Sequence, residues 1–346
     1  MGSKSRSGKA QPRLVDVAEQ AGVSLATASR ALAGRNGVSA EVAAHVRDIA
    51  ATIGYVANPH ARSLAGGAAS VAGLLVFEIG DPYFSEIASG VIGTAAEHGW
   101  SVQISHTERR PASEAAQLRL MRASRVGAII VAGSGYVDPA MEAAIARELD
   151  AFQESGGRAV VIGQHQVRAD AVLPDNCAAA VEVAAHLIRL GHRHLAVVAG
   201  PEHLRTVADR LKGIRTALSR HGLDPDSLPV LHASFTREGG ERATLEMLDA
   251  RPETTAILAL NDAMATGVLS ALRRRGQAVP RDISVTGFDD IQVAQDLAPA
   301  LTTARLPMSA MGSTAFELAL LPRAQRPRRR RTDHELVVRD STAPPR

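Results

Sequence analysis

The stretch from Leu14 to Ala33, LVDVAEQAGVSLATASRALA, constrains this chain more than any other. It reads as two short helices joined by a tight turn. Val15, Val17 and Ala18 supply apolar positions on the first helix. Gly22 falls where a left-handed residue must end that helix, a conformation that glycine adopts at little cost. Val23 can fill the gap between the helices, and Ser24 is a suitable N-cap for the second. Ala28 and Leu32 are four apart and share one face, so the spacing predicts that they are buried together. Leu25, Ala26, Ser29 and Arg30 then lie on the opposite face. A helix-turn-helix that reads the DNA major groove has this layout, with base contacts made from the start of the second helix. Ser24, Leu25, Ala26, Thr27, Ser29 and Arg30 are therefore the candidate DNA contacts. Arg30 alone among them can grip a guanine in two places, and Thr27 suits a phosphate.

The charge distribution agrees. Eight bases against four acids in residues 1–67 leave +4 there, and −1 on the rest of a chain whose net charge is +3. A small basic module on a larger near-neutral body suits a phosphate-binding appendage. The chain has 346 residues, which allows two or three domains. Aromatic residues make up 3%, so the core must be aliphatic. No apolar run is long enough to span a membrane. The basic start, MGSKSRSGKAQPR, lacks the apolar core of an export signal. Cys177 is the only cysteine, which excludes an internal disulfide and fits a cytoplasmic compartment.

Ser39 is an N-cap for a third helix, with Val42, Val46, Ile49, Ala50 and Ile53 at helical spacing and Gly54 ending it. Residues 55–67, YVANPHARSLAGG, read as a linker containing a short helix that begins near Asn58-Pro59 and stops before Gly66-Gly67. A helix so short is marginal alone. From Ser70 onward, strands and helices alternate: strands at 71–77, 100–105, 127–133 and 158–163, then at 194–200, 229–232, 255–261, 282–288 and 334–340. Alternation of this kind implies parallel sheets with helices on both faces. Clefts in such folds lie beyond the carboxyl ends of strands. Asp81, Tyr83 and Phe84 follow the first strand, and in a chain poor in aromatics the adjacent rings suggest a stacking wall for a sugar or a base. Gln164, Asn261 and Asp289 also follow strands, and Arg210 lies on the helix after 194–200. Asp262 reads equally well as a helix cap.

Enzyme signals are weak. Gly133-x-Gly135 follows a strand, but Asp138 stands where a dinucleotide fingerprint needs a third glycine. His186, His192 and His194 cluster around Gly191 without a further ligand, at what reads as a helix end. No nucleophile elbow and no phosphate-loop lysine is present. The run PRAQRPRRRR, with Arg323, Arg326 and Arg328 to Arg331, reads as a solvated loop.

The run DVAEQAGVSLATASRALAG…VSAEVAAHVRDIAATIGYVANPHARSLAGG resembles the N-terminal module of the lactose-repressor (LacI/GalR) family of transcription factors. The likeness continues in order through DPYF, PDN, HLIRLGHRHLAVVAGP, RLKGI, LALNDAMATGVL, VPRDISVTGFDD, APALTTAR and VVRDST. One departure is Ala57-Asn58-Pro59, where the family often has Pro-Asn. The resemblance implies an all-α helix-turn-helix domain followed by an α/β periplasmic-binding-protein-like domain of two doubly wound parallel-sheet subdomains. It implies a basic arm at 1–12, the helix-turn-helix at 13–57, a hinge at 58–67 and an effector-binding and dimerisation domain at 68–346. Three crossings between subdomains are expected near 163, 293 and 325, giving an N-subdomain of 68–163 and 294–325 and a C-subdomain of 164–293 and 326–340.

In the family, residues matching Arg210, Asn261 and Asp289 hold polar groups of the effector, and Phe235 resembles a cleft aromatic. Asn58, His60, Ala61 and Leu64 become hinge contacts to DNA, with Leu64 as a minor-groove wedge. The expectation is a homodimeric regulator, a repressor of palindromic operator DNA, controlled by a small polar effector such as a carbohydrate, with no cofactor, no metal and no catalysis. The ending STAPPR carries no leucine heptads, so dimers rather than tetramers are expected. A solute-binding protein and an enzyme on a doubly wound fold are the alternatives.

Overall fold

The computed structural model describes residues 12–32, 36–55 and 70–346. The hinge readings at Asn58, His60, Ala61 and Leu64, and the 1–12 arm except for its last residue, lie outside these described residues. Contacts divide the chain into two units, Met1–Val71 and Ala72–Arg346.

The first unit holds α1 (Leu14–Gln20), α2 (Leu25–Leu32) and α3 (Ala40–Ile53). Asp16 and the Arg13 backbone close a capping box, the Arg13 N–H donating to Asp16 Oδ2 at 2.6 Å. Gly22 takes φ +63° in the turn, as its place in the sequence requires. The core is built from Val17, Ala18, Ala21, Ala28, Ala31, Val46 and Ala50, with Leu14, Val23, Ile49, Ile53 and Tyr55 packed at its rim. Small side chains at 18, 28 and 31 let the helices approach closely. Ala31, rather than Leu32, is the second fully buried residue of α2; Leu32 sits half-buried at the rim because a leucine would not fit the close contact. Val15 is likewise half-buried and outside the core cluster.

The second unit contains two sheets. The six-stranded one has the order β11-β5-β4-β3-β1-β2, from β1 (Val71–Val76), β2 (Ser101–His106), β3 (Ala128–Ala132), β4 (Arg158–Ile162), β5 (Asp170–Pro174) and β11 (Arg329–Thr332). The four-stranded sheet has the order β7-β6-β8-β9, from β6 (Leu195–Ala199), β7 (Val230–His232), β8 (Ala256–Ala259) and β9 (Ser284–Thr286). Its pairings are parallel. Strands β3, β6 and β8 are buried along their whole length, which explains their continuous apolar runs. A short antiparallel ribbon, β10 (Thr303–Arg305) with β12 (Glu335–Val337), joins the second sheet through a bridge from Thr286 to Thr302.

Helices α4 (Pro82–Glu97), α5 (Pro111–Ala123), α6 (Pro139–Glu154) and α11 (Met308–Leu320) belong with the first sheet. Helices α7 (Asn176–Arg189), α8 (Arg205–Arg220), α9 (Arg237–Ala250) and α10 (Asp262–Arg274) belong with the second. Gly90 of α4 and Gly312 of α11 permit a close helix crossing: a Cβ on Gly90 would stand 1.9 Å from the Ser309 carbonyl oxygen.

The subdomain crossings differ from expectation. Strand β5 pairs with β4, so the chain leaves the first sheet at Asp175, not near 163. Residues 163–169 return to a parallel neighbour without a crossover helix, whereas a dozen or more residues are usual. The chain comes back between β10 and α11, near 306, not near 293, because β10 is bonded beside β9. It leaves again between β11 and β12, at 333–334 rather than near 325. The arginine run is not a solvated loop: Arg329 to Thr332 form the edge strand β11, paired in parallel with β5. Arg328 and Arg158 anchor this edge on buried Asp170, at 2.9 and 3.0 Å. The exposed arginines along β11 discourage pairing with another sheet edge.

Candidate functional site

In the first unit, the Ser24 hydroxyl accepts the Thr27 N–H at 3.1 Å and lies 2.8 Å from the Thr27 hydroxyl, capping α2. Leu25 is 53% exposed. Ala26 and Arg30 are also exposed, whereas Thr27 and Ser29 are half-buried. Arg30 Nε donates to the Ala26 carbonyl at 3.2 Å, which lays the side chain back along the start of its own helix. Of the six sequence-predicted residues, Ser24, Leu25, Ala26 and Arg30 are thus the exposed ones.

In the second unit, a narrow cavity of about 40 Å³ lies where the two subdomains meet. Asp81, Tyr83, Phe84, Arg210, Phe235, Asn261 and Asp289 all line it, as read from the sequence. Gln164 does not: its side chain is exposed, and the next residue, His165, is the one turned inward. The cavity adds Phe77, Arg109, Ser134, Leu204 and Thr206. The strand-end rule applied to β2 and β3 would have found Arg109 and Ser134.

Each polar group has an assigned place. Asp81 caps α4 by accepting the Tyr83 N–H at 3.1 Å, and its second oxygen accepts from Arg109 Nη2 at 3.2 Å. Burial raises its carboxyl above the ordinary value, against the pull of Arg109. Asn261 caps α10, its Oδ1 accepting the Met264 N–H at 2.8 Å. Asp262 is not the cap. It is buried beneath, accepting from the Thr303 hydroxyl at 2.7 Å and the Ile291 N–H at 2.8 Å. Burial, with Asp289 nearby, holds its carboxyl well above the ordinary range. It thereby fixes the loop after β9. In that loop Asp289 and Asp290 take φ of +106° and +57°, conformations that non-glycine residues adopt only when their surroundings enforce them.

Arg210 is the centre of the site. Its Nε donates to Asn176 Oδ1 at 2.8 Å, Nη2 to Asp289 Oδ1 at 2.8 Å, and Nη1 to the Leu260 carbonyl. The centre of the Phe288 ring lies 3.7 Å from its guanidinium carbon. Phe77, Phe84 and Tyr83 pack edge to face at 5.8 and 5.0 Å, giving the opposite wall. Aromatic faces with a few fixed polar groups suit a ligand that has apolar C–H faces and hydroxyl edges.

Burial pushes the Asp289 carboxyl up to about 7, despite Arg210. Because the folded value lies above the ordinary 3.8, the folded state favours the protonated form. This contribution to stability is complete below about 3.8 and is lost as pH rises toward 7. Urea midpoints of the wild type should therefore fall over that interval, and Asp289→Asn should flatten the fall. An unchanged slope in the variant would assign the pH dependence elsewhere.

The three histidines near Gly191 serve no common centre. His192 is buried with Nδ1 2.9 Å from the Thr255 hydroxyl and Nε2 2.9 Å from the Ala343 carbonyl, while His186 meets the Thr342 hydroxyl at 3.0 Å. His186 and His192 tie the C-terminal segment to the second subdomain, and His194 is exposed.

A three-helix unit with an exposed second helix, preceding a two-sheet unit with a polar cleft, defines a ligand-responsive DNA-binding regulator. Two family models match the chain: bacterial regulatory proteins of the lacI family over residues 13–58, and the periplasmic binding protein-like domain over 184–342. The HTH-type transcriptional repressor CytR of Escherichia coli (strain K12) is 31% identical over 347 residues, covering 98% of both chains. The chain belongs to the lacI family of transcriptional regulators, a family of DNA-binding proteins and not of enzymes. The crystal structure of the Lac repressor dimer bound to operator and the anti-inducer ONPF superposes with a TM-score of 0.82 at 26% identity, covering 96% of this chain and all of that one. A lacI-family regulator from Enterococcus faecium with bound ribose gives 0.70 at 26% identity, covering 80% of this chain and all of that one. Among the described residues, no helix is long and apolar enough to cross a membrane.

Proposed function

We propose that this chain is a cytoplasmic repressor that binds a palindromic operator as a homodimer and is controlled by a small polar effector, a carbohydrate, held in the cleft. The observation that carries the effector reading is the cavity itself: rings from the first subdomain face a guanidinium, an amide and a carboxylate from the second. That composition matches a ring with apolar faces and hydroxyl edges. The ribose bound in the related Enterococcus faecium regulator supports the same chemistry. The DNA reading rests on the exposed Leu25, Ala26 and Arg30 of α2.

A gel-shift titration on the DNA upstream of the chain's own gene, with and without a panel of sugars, tests both readings. Retarded complexes that a cyclic sugar alters are expected. Failure to retard any such DNA would end the operator reading. Arg30→Ala should relax selectivity at one base pair per half-site, by about 1–3 kcal/mol at that position. If the variant instead weakened equally on all sequences, Arg30 would be a phosphate contact.

A further inference from the structure

Arg109 has a role that the cleft's polar inventory does not explain. It stands in the loop after β2, in the first subdomain, and its guanidinium carbon lies 5.7 Å from the centre of the Phe84 ring of the same subdomain and 5.5 Å from that of the Phe235 ring of the other. Nη2 is held by Asp81 at 3.2 Å. The cation thus occupies the space between two aromatic walls, touching both sides of the cleft. Its backbone is forced: Glu108 and Arg109 take φ of +54° and +56° in succession. The Glu108 N–H to the Phe77 carbonyl at 2.8 Å and the Arg110 N–H to the Thr107 carbonyl at 3.1 Å hold that loop. Two consecutive left-handed non-glycine residues persist only where the surroundings over-determine them.

A second link crosses the cleft close by. The Val137 N–H donates to the His203 carbonyl and the Arg205 N–H to the Gly135 carbonyl, both at 2.9 Å, and the Tyr136 ring stacks on His203 at 5.8 Å. Leu204 and Ser134, beside this bridge, also line the cavity with Arg109. The two backbone bonds form only when the subdomains are closed on each other.

We infer that Arg109 is an internal occupant of the effector slot, a clasp between Phe84 and Phe235 that holds the cleft closed. The inference rests on the reading of the cavity as the effector site. It makes Arg109 a specificity-determining residue. A ligand must offer flat apolar faces to both rings to replace the guanidinium, and an acyclic chain does not. Cation–π contact in a desolvated setting is strong enough for such a role.

Hydrogen exchange on the full-length, ligand-free and DNA-free protein tests this, so its outcome is independent of any operator or sugar result. The amides of Val137 and Arg205 report closure, and those of β3 and β6 report the fold. In Arg109→Ala, exchange at Val137 and Arg205 should quicken by about tenfold or more, with β3 and β6 unchanged. Phe235→Leu should give the same acceleration, and the double variant should add little. Unchanged exchange at Val137 and Arg205 in Arg109→Ala would overturn the clasp. So would acceleration in Arg109→Ala without any in Phe235→Leu, since Arg109 would then act through Asp81 alone.

Discussion

Arg210→Ala should lower the unfolding free energy of the ligand-binding unit by about 3–5 kcal/mol, the usual result of removing one partner from a buried pair. It should also abolish any effector response. Arg210 is 4% exposed and Asp289 3%. The guanidinium holds Asn176, the Leu260 carbonyl and Asp289 at once, so its loss strands three acceptors in the interior. Lysine has the charge but not the planar fork, so Arg210→Lys should recover only part of the loss. Urea denaturation of the single variants and of Arg210→Ala combined with Asp289→Asn measures this. The second substitution should return part of the stability by removing the stranded carboxylate. A loss under about 1 kcal/mol in Arg210→Ala would show that water reaches these acceptors and that the pair is not buried. The sequence marks Arg210 as an effector contact; its geometry makes it first the support of Asp289, with any effector contact made through what remains of the fork.

Glu142→Ala should cost about 3 kcal/mol, since each abandoned buried donor costs roughly 1–3 kcal/mol and the loop can relax in part. Glu142 is buried on α6. Its carboxylate accepts the Tyr136 N–H at 3.0 Å and the Gln166 N–H at 2.5 Å, and His165 Nδ1 stands 3.2 Å away. Burial alone would raise this carboxyl; His165 and the two backbone donors outweigh it and hold the group below its ordinary 4.5. A depressed carboxylate contributes stability that is present above its unfolded value and is lost as pH falls through its folded one. Below pH 4.5 the wild type should therefore weaken as pH falls, a slope opposite in sign to that of Asp289 at higher pH, and Glu142→Ala should lose this acid limb along with its stability. Thermal melts between pH 3 and 7 would show both, and a variant retaining the full acid-side slope would clear Glu142 of the effect.

The strands that carry the site were legible because parallel strands buried on both faces must be apolar throughout, as in AIIVA and LAVVA. Asp81, Tyr83, Phe84, Asn261 and Asp289 were legible because they follow such strands. Four elements were not. Strand β5 has only Ala171, Val172 and Leu173 between Asp170 and Pro174, β10 is three residues long with two of them polar, and β11 is mostly arginine, so none carries a long apolar run. Helix α11, MSAMGSTAFELAL, is rich in small residues because α4 crosses it closely, and small residues blur the helical period. Gln164 was misread because strand alternation beyond Gly163 turns its neighbour His165 inward. Arg109 escaped because a charged pair in an arginine-rich loop reads as surface.

The three crossings between subdomains lie side by side. Pro174 is paired with Thr332, just before the first and third crossings, and Arg305 with Glu335, just before the second and just after the third. Three tethers stitched edge to edge make a leaf hinge: compliant about one axis, stiff to twist and to shear. The work done by a ligand on the cleft is therefore channelled into a single angular coordinate, and little of it is dissipated in sliding. A fold with only one strand between its halves would swivel freely and transmit no defined angle. The stitched hinge makes the opening angle, rather than any individual contact, the quantity that a bound molecule sets.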